Sequence, residues 1–199
     1  PPYHGVGLVP SPVGIYEQFK AVSDAISIPI MVQDAPLSGA PLPVDLLVKM
    51  ASEIENVSYF KIEVPFAADK LAALIEQGGE HIVGPCDGEE AVTLLADLDA
   101  GATGTMTSAM FPDKIKPIVT EYLAGNTDAA LDHWKLCMPL INHENRQCGL
   151  RAAKTVMKEG GVIRSDFVRH PLKPMSDRTK ARLLGLAGEL DVLALKWGK

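Results

Sequence analysis

The chain has few cysteines, no long apolar run and no surplus of positive charge. Cys86, Cys137 and Cys148 are an odd number without CxxC spacing. They build neither a disulfide framework nor a zinc site, and they fit a reducing, cytoplasmic compartment. No apolar stretch approaches the roughly 20 residues that a membrane span needs. The 19 Lys and Arg stand against 25 Asp and Glu, for a net charge of −6. That balance gives no general attraction to nucleic acid or to an anionic membrane, so neither is expected as a partner. No secretory leader is visible, and the chain opens at Pro1-Pro2-Tyr3-His4-Gly5 without a methionine. No GxGxxG or GxxxxGK[ST] follows any candidate strand, which removes the strongest argument for a nucleotide site. Asn56-Val57-Ser58 matches a glycosylation sequon but sits where a core strand begins, and reads as chance.

What is present is a globular pattern: 47% of the 199 residues are hydrophobic. Short apolar runs recur at Ile28–Val32, Val57–Ile62, His81–Gly84 and Ala102–Met106. Helical spacing separates them, over Val44–Ile54, over Ala67–Ile75 with a stop at Gly78-Gly79, and over Glu89–Leu98. A further helix is expected to start near Pro112-Asp113. Strands alternating with helices imply a parallel sheet, either doubly wound or a (β/α)₈ TIM barrel. From about Asn126 the pattern is helical, with breaks at Gly160-Gly161 and His170-Pro171. Strands followed by a helical tail look like the second half of a barrel, strands five to eight. On that reading residues 1–125 are the half-barrel and 126–199 a C-terminal helical extension. Pro1–Gly5 is then the loop after strand four, and the first half-barrel is absent from the chain as given.

In both parallel architectures ligands sit at the C-terminal ends of strands. The polar oddities cluster at those ends. Strand alternation puts Tyr59, Lys61 and Glu63 on one face and Phe60 and Ile62 on the other. The apolar face suits the helix layer, so Lys61 and Glu63 point into the barrel mouth. Desolvation of a lysine there favours its free amine, a nucleophile that can condense with a carbonyl to a Schiff base. Glu63 is placed to move a proton. The alternative is a Lys–Glu ion pair at a strand end. Other candidates also carry two readings. Tyr3 relays protons or is a rim aromatic. Gln33 and Asp34 bind a hydroxylated substrate, or Asp34 is a turn residue before Pro36. Asp87-Gly88-Glu89-Glu90 reads as a helix N-terminus favoured by the dipole. Thr107 and Ser108 bind a substrate oxygen or end a strand. His143-Glu144-Asn145-Arg146-Gln147 reads as a buried inter-helix or subunit network, and Cys86 as structural.

Several segments carry a family signature: PPYHG at 1–5, IPIMVQDAP at 28–36, YFKIE at 59–63 and DGEEAVTLLADLDAGATGTMT at 87–107. LINHENRQ at 140–147 and EGGVI at 159–163 extend it. Together they resemble the dihydrodipicolinate synthase/N-acetylneuraminate lyase family. The resemblance implies a TIM barrel with a helical extension, a homotetramer, and class I chemistry with Lys61 as the Schiff-base lysine and no dissociable cofactor or metal. It adds Tyr3 to Lys61; with Glu63 from the strand reading these are the expected catalytic set, and His4, Gln33, Asp34, Gly88 and Thr107 the expected substrate-binding set. Aldolases of the family carry a tyrosine in a YN-x-P motif after strand five. Here the motif reads Gln33-Asp34-Ala35-Pro36, which fits a dehydratase acting on a small-molecule 2-keto-3-deoxy sugar acid. A pyruvate-forming aldolase, a non-catalytic sugar-acid binder and an unrelated doubly wound domain are the alternatives.

Overall fold

The computed structural model describes residues 9–35, 39–40 and 42–199. They divide into two compact units. One runs through Glu89 and resumes over Thr93–Met106; the other holds Glu90–Val92 and Thr107–Lys199.

The first unit is a run of β/α repeats. α1 (Pro12–Asp24) precedes β1 (Ile30–Asp34), α2 (Val44–Glu53), β2 (Val57–Ile62), α3 (Ala67–Gly78), β3 (Gly84–Asp87), α4 (Leu94–Asp99) and β4 (Gly104–Thr105). The strands are all parallel and lie side by side in chain order, β1-β2-β3-β4. A doubly wound sheet reverses its order at a switch point. These strands do not reverse, which is the wall of a (β/α)₈ barrel, and the four of them are its second half.

Local chemistry explains most boundaries. Ser11 caps α1 by accepting the Gly14 N–H at 3.1 Å, and Pro12 takes the first turn, where its missing N–H costs nothing. α3 runs through Gly78 and stops at Gly79, whose φ of 52° suits glycine. Val32, Phe60 and Ile62 from the sheet are fully buried against Leu47 and Met50 of α2 and Leu71 and Leu74 of α3. Asn56 is engaged rather than available: its amide donates to Ser23 O and Ile26 O, both at 3.1 Å.

The structure corrects the sequence reading at four places. α1 carries too narrow an apolar stripe to be noticed; its Ile15, Tyr16 and Phe19 nevertheless join the core. The third strand begins at Gly84, because Gly79–His81 forms a 3₁₀ turn and Val83 is left 57% exposed. The fourth strand narrows to Gly104–Thr105. The helix expected from Glu89 starts only at Leu94. Asp87 captures the Glu89 N–H in a local turn, and Glu90 and Ala91 take φ of 56° and 65°. The acids at 87–90 are therefore not a helix N-terminus.

The second unit is helical. α5 (Pro112–Leu123) and α6 (Thr127–His143) form a hairpin joined by three residues. A π-type turn (Glu144–Cys148), α7 (Arg151–Glu159) and α8 (Asp177–Glu189) follow. The break at Gly160-Gly161 is a seam for the last residues of the chain. Gly198 N–H donates to Gly160 O at 3.0 Å, and a Cβ on Gly160 would meet Ala194 O at 1.7 Å. His170-Pro171 is a cis peptide. Among the described residues no helix is long and apolar enough to cross a membrane.

One buried ion pair braces the sheet from the helix side. Asp34, 2% exposed, accepts from Lys70 Nζ of α3 at 2.5 Å, and the same ammonium donates to Leu42 O at 2.6 Å. Removing only the cation strands a buried carboxylate. Lys70→Met is expected to lower unfolding stability by about 3 kcal/mol, measurable by urea titration.

Candidate functional site

Parallel pairing aligns the strand ends into two rows. One row is Gln33, Lys61, Cys86 and Gly104; the next is Asp34, Ile62, Asp87 and Thr105. Side chains alternate across a sheet, so the rows face opposite sides. Ile62 packs into the core with the helices, which turns Asp34 with it toward Lys70. The Lys61 row faces the other way.

On that second face three side chains meet. Lys61 Nζ lies 3.2 Å from Glu63 Oε2, with the two side chains 15% and 27% exposed. Gln33 Nε2 donates to the same Glu63 oxygen at 2.6 Å. One carboxylate oxygen thus bridges an amine and an amide, and the Glu63 side chain is held by both. Its backbone is fixed as well, since the Glu63 N–H donates to Asp34 O at 2.8 Å. Gly104 continues the row beyond Cys86, and the ring of Tyr59 lies where a Cβ on Gly84 would stand. Cys86, half-buried, is the register neighbour of Lys61; burial, then the Asp87 charge, pushes its thiol pKa up.

Gly88 supports the site from behind. Its N–H donates to Ile62 O at 2.9 Å, and a Cβ there would stand 2.6 Å from that oxygen and 2.9 Å from Glu63 Cβ. Neither neighbour can yield without moving Glu63. Gly88→Ala is expected to lose about 1–3 kcal/mol of stability and to lose activity as well, read by thermal unfolding and turnover of the same preparation.

The sequence profile of the dihydrodipicolinate synthetase family matches residues 1–188. The chain belongs to this family. Over 197 residues it is 54% identical to an L-2-keto-3-deoxyarabonate dehydratase of Azospirillum brasilense, covering 99% of this chain and 64% of that protein. It is 29% identical to a 4-hydroxy-tetrahydrodipicolinate synthase of Methanosarcina acetivorans, covering 92% of this chain and 63% of that one. The chain thus spans a little under two thirds of these relatives. A crystal structure of dihydrodipicolinate synthase from Aquifex aeolicus superposes with a TM-score of 0.85 at 24% identity, covering 96% of this chain and 64% of that chain. At that identity the likeness concerns the fold alone.

For this family member, the structure gathers Lys61, Glu63 and Gln33 and backs them with Gly88. It does not bring Asp34 to them; Asp34, one of the two residues read as hydrogen-bonding a substrate, lies buried and paired with Lys70. Thr107 belongs to the second unit, where its hydroxyl donates to Glu90 O at 3.2 Å. Tyr3 and His4 lie outside the described residues. Two features were missed. Gln33 clamps Glu63, a link made across strands that one sequence does not display. Glu144, in the π-type turn, is 8% exposed, and burial pushes its pKa to about 7, with Ser108 opposing and Glu90 adding to the rise. The reading of residues 143–147 as a buried network is corrected: Glu144 alone is buried, His143 is half-buried, and Asn145, Arg146 and Gln147 are exposed. His143 Nε2 bonds Thr179 O of α8 at 3.3 Å, and Asn145 donates to Ile141 O at 2.9 Å.

Proposed function

We propose that the whole protein is a class I hydro-lyase that dehydrates a 2-keto-3-deoxy sugar acid, L-2-keto-3-deoxyarabonate, to 2-oxoglutarate semialdehyde and water. The observation that carries this reading is the shared Glu63 oxygen, 3.2 Å from Lys61 Nζ and 2.6 Å from Gln33 Nε2. It provides a nucleophilic amine, an adjacent proton acceptor and a group that orients the acceptor. The 54% identity to the Azospirillum dehydratase supports the choice of substrate.

Glu63 first takes a proton from the Lys61 ammonium, and the amine adds to the C2 ketone. Glu63 returns that proton to the carbinolamine hydroxyl, whose loss as water leaves a protonated imine and a free Glu63 carboxylate. Glu63 removes a C3 proton, and the C3–H electrons form an enamine. The enamine expels the C4 hydroxyl, which leaves as water with the proton that Glu63 took from C3. A C5 proton is then lost and C3 is reprotonated, giving a C5 enol that tautomerises to the aldehyde. Hydrolysis of the imine returns Lys61 and the semialdehyde. The imine is the electron sink, so the scheme calls on no metal or dissociable cofactor. Gln33 supports this scheme over carbon–carbon cleavage: where the aldolases hold a tyrosine, this chain holds a neutral amide already bonded to Glu63. The reading places the protein in the cytoplasm, as a homotetramer, in L-arabinose degradation.

The test is incubation of the whole protein with pyruvate and borohydride, followed by peptide mapping and a product assay. A reduced adduct on the Lys61 peptide, with semialdehyde as product, is expected. Pyruvate released from the sugar acid would make it an aldolase, and no adduct on folded protein would end the imine scheme.

A further inference from the structure

Asp87 ends β3 and Asp97 lies within α4; the proposed reaction uses neither, and both are fully buried. Asp87 is an acceptor twice over. Thr105 Oγ1 donates to its Oδ2 at 2.5 Å and the Glu89 N–H to its Oδ1 at 2.9 Å. Asp97 Oδ2 accepts from Thr93 Oγ1 at 2.8 Å, while its Oδ1 is buried with no hydrogen-bond partner among the described residues. A bare carboxylate oxygen there is costly, and a protonated one far less so. Burial pushes the Asp97 pKa to about 7; Thr93 opposes the rise, and the neighbouring Asp87 and Glu89 carboxylates add to it. Glu89, with the hydroxyls of Thr93 on its own segment and Thr105 on β4, is among the groups around the pair.

The turn that Asp87 closes is the one behind Glu63. Its bond to the Glu89 N–H holds residues 87–89, and between them Gly88 stands against Ile62 O and Glu63 Cβ with no room for a side chain. We infer that Asp87 and Asp97 share one proton, and that Asp87 is a positioning residue holding the 87–89 turn, and through Gly88 the Glu63 carboxylate, in place. The inference rests on the role given to Glu63 above.

A group whose folded pKa is raised binds its proton more tightly in the folded state. Stability is then full below the ordinary carboxylate range, falls as pH rises toward about 7, and is level above. The amide introduced by Asp97→Asn cannot titrate. The experiment compares whole protein with Asp97→Asn, Asp87→Asn and Thr105→Val. It reads the thermal midpoint from pH 5 to 8.5, kcat and KM, and borohydride trapping with pyruvate. Asp97→Asn, which keeps a donor toward Asp87, is expected to remove part of the fall in midpoint between pH 5 and 7. Its kcat should stay within about threefold of the parent, under one power of ten in rate. Glu144 titrates in the same window in both proteins, so the difference belongs to Asp97. Asp87→Asn leaves Thr105 or Glu89 without an acceptor; kcat should drop about tenfold or more with KM little changed and the Lys61 adduct still formed. Thr105→Val should move kcat the same way by less, and it decides the matter if Asp87→Asn fails to fold. An unchanged pH slope in Asp97→Asn, or parental kcat in Asp87→Asn, overturns the inference. A parent that forms no adduct overturns the proposed function instead, and the Asp97→Asn slope still decides the shared proton.

Discussion

Lys61→Met is expected to abolish both the borohydride adduct and turnover. The methionine keeps the apolar stem and its packing on the sheet face, so the fold is expected to survive, but a thioether cannot condense with a ketone. The rate loss should exceed the roughly 10⁴-fold that a missing general base can cost, because the electron sink itself is gone. Lys70 offers no substitute. It lies on the helix side, bonded to Asp34 and Leu42 O. Stopped-time product assays and mass mapping of the trapped peptide provide the readout. An adduct that persists on another lysine would remove Lys61 from the mechanism.

Glu63→Gln should have the second largest effect. The substitution preserves shape and removes the proton acceptor that lies 3.2 Å from Lys61 Nζ. The expected cost is about 10²- to 10⁴-fold in kcat. The imine with pyruvate should still form, slowly, because its formation needs the amine more than the carboxylate. The two variants therefore separate. Lys61→Met loses adduct and turnover together; Glu63→Gln retains the first and loses most of the second. A Glu63→Gln protein more damaged than Lys61→Met would reverse the roles assigned here.

The sequence made the sheet legible where one face is buried and the other is not. Phe60–Ile62 alternates, after a Val57 buried out of phase with it, and the observed limits of the strand agree with the expected ones. Phe60 and Ile62 go to the core and Lys61 to the opposite face. His81–Gly84 misled because a short apolar run says nothing about where pairing starts; Ile82 and Val83 lead into the strand rather than forming it. The expected helix at 89–93 failed for a different reason. A side chain outcompeted the backbone: Asp87 took an N–H that a helix start would have left free. At the site, residue types pointed to Lys61 and Glu63, but the clamp by Gln33 and the withdrawal of Asp34 are matters of register between β1 and β2. Adjacent residues in the chain, Gln33 and Asp34, went to opposite faces. Alternation separates any two such neighbours; which of them joins Lys61 is set by the register.

The two rows at the strand ends have a consequence for how such a sequence can change over time. Work and bracing are separated by a single step along each strand. A substitution in the Lys61 row alters the chemistry without touching the ion pair and acids behind it. An insertion or deletion of one residue inside β2 exchanges the rows, driving Lys61 into the apolar layer and Ile62 into the mouth. The strand is thus a reading frame of period two. Room for length variation is left to the connections, such as residues 64–66 before α3, while the strands themselves admit change only one letter at a time.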